Sequence, residues 1–193
     1  MGIEFELKYR ATEAQLIRLE ESFPQLLRQT RMHTRYYDTP GGDFSRRKLT
    51  LRCRRENEAW ICTLKTPTGG LARGEFELPS ADIEAAAPEL CNLAGYPQLI
   101  PLLASGLREV CGARFTRLAG EVEFPGFTAE LALDRGVLTG GGRECPLCEV
   151  EAELKDGSRE ALLSFGLLLE EKFGLVPQRL SKFRRALDLA KGE

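Results

Sequence analysis

Charged residues recur at every second position in segment after segment of this chain, and this alternation constrains its fold more than any other feature. Near the start stand Glu4, Glu6 and Lys8; near the end stand Glu149, Glu151 and Glu153. A β-strand points successive side chains to opposite faces, so each triplet shares one face. Same-face neighbours lie about 6.6 Å apart along a strand, and like charges at that spacing repel unless basic groups or cations sit between them. The same period puts Arg52 with Arg54, Arg73 with Glu75 and Glu77, and Glu130 with Asp134 on charged faces, joined by Lys65 and Arg117. Apolar residues such as Phe5, Leu7 and Tyr9 take the opposite face.

Around this pattern the chain reads as about eight strands with helices between them. Strands are expected at 3–10, 29–37, 49–55, 59–66, 73–78, 113–124, 127–134 and 146–155, with the third and fourth forming a hairpin at Glu56-Asn57-Glu58 and a turn at Gly69-Gly70. Thr12 and Gln15 form a capping box before an apolar stripe of Leu16, Ile17, Leu19 and Phe23. Helices are also expected at 158–173 and about 181–190, the latter capped by Ser181, with two short helical stretches within 81–112. A half-buried open sheet would explain two or three such strands. Eight strands in 193 residues leave little material for a second apolar layer, which favours closure into a barrel. The expected fold class is α+β and mainly β: an eight-stranded antiparallel tunnel, charged inside and packed outside by helices, forming a single domain over 1–193.

Composition narrows the function. Twenty-seven basic residues balance 29 acidic ones to a net charge of -2, so no overall field calls for nucleic acid or a membrane. The opening lacks the basic and then apolar character of a signal peptide, and no apolar run reaches about 18 residues, so a cytoplasmic location is expected. Six scattered cysteines read as free thiols. Cys145 and Cys148 have CxxC spacing, but without a second pair, and with His33 the only histidine, a turn entering a strand is the better reading than zinc. Cys53 and Cys62 fall between charged-face residues and are expected to face the apolar packing.

A lumen of both signs suits a metal polyphosphate. Hard cations prefer carboxylate oxygens, whereas phosphate oxygens prefer guanidinium and ammonium groups. The motifs Glu4-Phe5-Glu6-Leu7-Lys8, Tyr36-Tyr37-Asp38-Thr39, Leu51-Arg52-Cys53-Arg54, Leu64-Lys65-Thr66, Arg73-Gly74-Glu75-Phe76-Glu77 and Glu149-Val150-Glu151, with Ser181-Lys182 near the end, resemble in order those of the CYTH superfamily, the triphosphate tunnel metalloenzymes. The branch most resembled is the bacterial inorganic triphosphatases.

The resemblance implies a hydrolase that uses Mg²⁺ or Mn²⁺ to cleave inorganic triphosphate to pyrophosphate and phosphate. Adenylyl cyclase and thiamine triphosphatase are the enzymatic alternatives, and a triphosphate sensor is the non-enzymatic one. It implies metal ligands at Glu4, Glu6, Glu149 and Glu151, with Glu153 a further member. Phosphate-binding groups are implied at Lys8, Arg52, Arg54, Lys65 and Arg117, with Arg73 and Lys182 joining them, and catalytic roles at Lys8, Glu6 and Lys65. The partner is a small-molecule triphosphate, and a homodimer is left open. Arg114 competes with Arg117, because a bulge would exchange their faces. Trp60, Tyr36 and Tyr37 are the candidates for an aromatic clamp on an organic substrate, with strand packing as their plainer use.

Overall fold

The computed structural model describes residues 2–67 and 72–192, and of these the side chains of residues 2–4, 72 and 73 lie outside the description. The expected side-chain roles of Glu4 and Arg73, and the turn at Gly69-Gly70, therefore fall outside the described residues. The strands are β1 (Gly2–Arg10), β2 (Arg28–Asp38), β3 (Thr50–Glu56), β4 (Ala59–Pro67), β5 (Ala72–Pro79), β6 (Arg108–Phe124), β7 (Phe127–Gly140), β8 (Arg143–Gly157) and the short β9 (Val176–Pro177). The helices are α1 (Glu13–Ser22), α2 (Asp43–Arg46), α3 (Ile83–Leu93), α4 (Arg159–Phe173) and α5 (Lys182–Lys191), with a 3₁₀ helix over Pro97–Ser105.

The strands make one antiparallel sheet in the order β5-β4-β3-β2-β6-β7-β8-β1-β9, and β1 also pairs with β5. The two halves of β1 have different neighbours: residues 2–5 face β5 from Gly2 opposite Glu75 to Phe5 opposite Ala72, whereas residues 6–10 face β8. The unexpected ninth strand is a two-residue bridge that covers Tyr9 and Arg10.

Local chemistry explains the elements. Thr12 caps α1 with the reciprocal Gln15 bonds of a capping box, and Ser158 and Ser181 accept hydrogen bonds from the first turns of α4 and α5. Leu16 and Leu19 bury the stripe of α1, but Ile17 lies outside it and is half exposed. Asn57, at φ 53°, makes the expected β3–β4 turn. The strands β6, β7 and β8 run longer than the alternation suggests. Gly141 and Gly142, both at positive φ, form a two-residue turn, so β7 continues to Gly140 and β8 starts at Arg143. Cys145 and Cys148 thus lie inside β8 rather than in a turn, and their odd separation sends them to opposite faces.

Two of the three apolar cores lie on the face opposite the charges, beneath helices; the third, with α5, shares the charged face, where Phe115 stands two residues from Arg117. Phe5, Leu7, Tyr9, Leu131, Leu133 and Val150 form a core with α1 and α4. Leu51, Leu64, Cys53 and Cys62 form a second with α3 and the 3₁₀ helix, as expected for those two cysteines. A third joins β2, β6, β7 and β8 to α5 through Tyr36, Phe115, Leu138 and Ala186. No helix among the described residues is long and apolar enough to cross a membrane.

Candidate active site

The charged faces converge on one cavity of about 360 Å³, lined by side chains from β1, β2, β3, β4, β5, β6, β7, β8 and the start of α5. Nine of the expected residues line it: Glu6, Lys8, Arg52, Arg54, Lys65, Arg117, Glu151, Glu153 and Lys182. Register determines how they are grouped. Glu6 stands opposite Glu153, and Glu153 opposite Glu130, so three carboxylates cross β1, β8 and β7 in a row. Lys8 faces Glu151 in the next row, and Glu149 faces Arg10 on one side and Asp134 on the other.

This register separates two of the expected metal ligands. Glu149 does not join Glu6: four residues separate it from Glu153 on β8, or about 13 Å of strand. It lies fully buried farther along the same face, under α5, where Lys182 and Arg185 both donate to it. Lys182 Nζ also reaches Asp134 at 2.9 Å and Glu151 at 2.7 Å. Arg117 grips Asp134 with two 2.8 Å bonds and donates as well to Glu151. Burial alone would lower the pKa of Lys182, but the carboxylates of Asp134, Glu151 and Glu149 outweigh it and hold the ammonium well above its ordinary value. Burial likewise works against ionised Glu151, yet Lys182, Arg117 and Lys8 keep it well below the usual carboxylate range.

The wall made by β3 and β4 is cationic. Arg52 Nη2 donates to Glu75 at 2.8 Å, and Lys65 Nζ lies 3.0 Å from the same carboxylate. Arg52 Nε is buried and has no partner among the described residues. Arg54 donates from Nε to Thr34 Oγ1 at 3.1 Å and from Nη1 to Glu56 at 3.2 Å. Burial lowers its pKa first, and then the neighbouring charges of Arg52 and Arg117. Three guanidinium groups are therefore crowded around one space, an arrangement that an anion between them would relieve.

Asp134, Glu149 and Glu151 are close enough to share a cation, with ligand oxygens within 4.8 Å of one another. Their oxygens are already occupied by Lys182, Arg117 and Arg185. The row of Glu6, Glu153 and Glu130 is less committed: Glu6 accepts from Lys8 at 2.7 Å, Glu153 from Lys155 at 2.8 Å, and Glu130 from Arg28 on the rim. An all-carboxylate set of this kind fits a hard divalent cation.

Register also separates Arg117 from Arg114. Arg117 stands opposite Asp134 and faces the cavity, whereas Arg114 stands opposite Val137 and pairs with Glu144 at the surface. Sequence reasoning missed Arg185 altogether; its spacing of three from Lys182 on one helix was the available signal. Tyr36 lines the cavity beside Phe183, ring centres 5.1 Å apart, while Trp60 and Tyr37 pack against the α3 core and make no clamp. Arg46 and Arg47 are exposed and pair with Asp43.

An antiparallel sheet that gathers alternating charges of both signs into one cavity, with the start of α5 in its wall, is the class of architecture that the comparisons with known proteins address. The chain matches the CYTH domain over residues 2–187, and it belongs to that family. It is 34% identical over 134 residues to the inorganic triphosphatase of Haemophilus influenzae, a match covering 67% of this chain but only 38% of that longer relative. Among solved structures, a Hippeastrum protein described as a candidate adenylyl cyclase with a dominant triphosphatase activity superposes at TM-score 0.71 and 17% identity, covering 100% of this chain and 97% of that one. The Pyrococcus horikoshii protein PH1819 follows at TM-score 0.67 and 25% identity, with 96% and 99% covered.

Proposed function

We propose that this chain is a metal-dependent hydrolase that cleaves inorganic triphosphate to pyrophosphate and phosphate inside a closed tunnel. The observation that carries the proposal is the partition of the cavity, with Arg52, Arg54 and Lys65 on the β3–β4 wall and Glu6, Glu153 and Glu130 in a row across β1, β8 and β7. The name of the Haemophilus relative supports the reading. The pairing of β1 with β5 supports closure, because it returns one end of an eight-strand order to the other. Six free cysteines agree with a cytoplasmic protein.

In this reading the triphosphate lies along the cationic wall. Arg54 and the unpartnered Nε of Arg52 donate to phosphate oxygens, while Lys65 and Lys8 neutralise charge on the bridging and terminal groups. Lys8 is placed to serve both halves of the site, because it neighbours Glu6 and faces Glu151. Glu6, Glu153 and Glu151, with Glu130 at the end of the row, would hold Mg²⁺ or Mn²⁺; Glu4 and Arg73 belong to the metal and phosphate sets by resemblance. Such an ion, when bound, supplies Lewis-acid polarisation of a phosphoryl oxygen and a more acidic water. Water adds to the terminal phosphorus and the bridging P–O bond breaks; pyrophosphate leaves with the electron pair and takes up the proton the water releases, as Arg117 and Lys8 offset the developing charge. Lys182, fully occupied by carboxylates, holds Glu151 and Asp134 in place rather than binding phosphate directly.

The test is incubation of the purified chain with triphosphate and Mg²⁺ or Mn²⁺, with phosphate and pyrophosphate both quantified. Equal yields are expected, together with loss of turnover in Glu6→Gln and Lys8→Ala. Cyclic AMP from ATP would replace the proposal with a cyclase, and tight binding without product would replace it with a sensor.

A further inference from the structure

Helix α4 buries one apolar stripe and exposes three more leucines among the polar residues of its outward side. Leu162, Phe165, Leu169 and Phe173 are buried against the sheet, while Leu163, Leu167 and Leu168 point outward with 44%, 66% and 43% of their surface exposed. A surface helix ordinarily keeps its large apolar residues on the buried stripe, so three exposed leucines within six residues are an excess that a covering surface would explain. Val176 and Leu180, each 48% exposed, extend the apolar surface beyond the helix end. Five of the eight large exposed hydrophobic residues of the described chain thus fall within residues 163–180, so they are clustered rather than scattered as on an ordinary surface.

Leu163 and Leu167 also wall a groove of about 560 Å³, shared with Leu7 and Tyr9 of β1 and with Pro177. Glu170 and Arg179 line it as well, and neither forms a salt bridge among the described residues. One surface therefore carries protruding leucines, an apolar groove, and one unpaired charge of each sign.

We propose that this face is the contact surface of a homodimer. A twofold axis beside α4 sets the outer leucines of each copy against the groove of the other and brings Glu170 of each copy to Arg179 of its partner. An isologous contact requires a self-complementary patch, and this one contains both halves of every interaction it needs. A partner with only acidic or only basic residues would satisfy one of the two charges and leave the other uncompensated at an apolar interface.

Sedimentation velocity on the full chain tests the proposal. A species of twice the 21.5 kDa chain mass is expected, dissociating on dilution. Leu167→Glu, with its far-UV circular dichroism unchanged, should weaken association by at least about tenfold. Arg179→Glu should also weaken it, and adding Glu170→Arg should restore it; this pair carries the test should Leu167→Glu fail to fold. A monomer at every concentration, a dimer indifferent to Leu167→Glu, or a double charge swap that restores nothing would overturn the proposal.

Discussion

Arg52 and Lys182 are both buried cations of the same cavity, yet they do different work. Arg52 keeps an unpartnered Nε, a donor available for a ligand, whereas Lys182 spends its ammonium on three carboxylates. Replacing Arg52 with Lys keeps the charge but removes that donor and the planar fork, so triphosphate affinity should fall about tenfold, worth about 1.4 kcal/mol, with the thermal midpoint nearly unchanged. Calorimetric titration at fixed Mg²⁺ gives the first quantity and a melting curve the second. Lys182→Ala should act in the opposite way: it leaves Arg117 and Arg185 as the two remaining cations for Asp134, Glu149 and Glu151 and should cost about 3 kcal/mol in urea unfolding. Arg114→Ala, at an exposed pair with Glu144, should stay within about 0.5 kcal/mol of the parent. At this scale the alternation identified the cavity residues well. It could not relate Glu149 to Glu6, because register between strands distant in sequence is not written in either strand, nor could it find Arg185, whose partner Glu149 lies on another element.

The elements were legible wherever a local signal acts alone. Thr12, Ser158 and Ser181 each mark a helix start, and the hairpin at Asn57 follows from its turn residues. The strands β6, β7 and β8 run past the expected 113–124, 127–134 and 146–155, and β7 does so through Gly136. Tertiary packing explains the glycine: a Cβ at Gly136 would lie 2.1 Å from the carbonyl oxygen of Arg114 and 2.5 Å from Phe115 Cα, so only glycine lets β6 and β7 approach there. Gly136→Ala should therefore lose about 1–3 kcal/mol, as overpacked positions do, and shift the backbone on either side of Arg117. A denaturation midpoint unchanged from the parent would show that the strands can separate locally without penalty.

For the molecule as a whole, a net charge of -2 conceals a strong internal separation, since the sheet sorts nearly balanced charges onto opposing walls of one cavity. The charged face was readable from the chain; which strands flank β1 was not, because pairing between distant segments is not written in either one. Two walls must hold their spacing for a ligand to touch both, and the seams between them differ in extent. Among the described residues the pairing of β1 with β5 runs from Gly2 opposite Glu75 to Phe5 opposite Ala72, whereas β6 and β7 pair from Gly112 opposite Thr139 to Phe124 opposite Phe127. The short seam should open first, because local opening costs least where the fewest buried pairs are lost. Hydrogen exchange read by mass spectrometry should find amides of residues 2–5 and 74–75 exchanging faster than those of β6 and β7. Adding triphosphate with Mg²⁺ should slow the seam selectively, since a ligand held by Glu6 on β1 and by Arg52 and Lys65 on β3 and β4 ties together the strands on either side of it, and binding to the closed form stabilises it by mass action. Equal protection of all strands, or a seam unaffected by saturating ligand, would mean that the two walls do not act on one substrate.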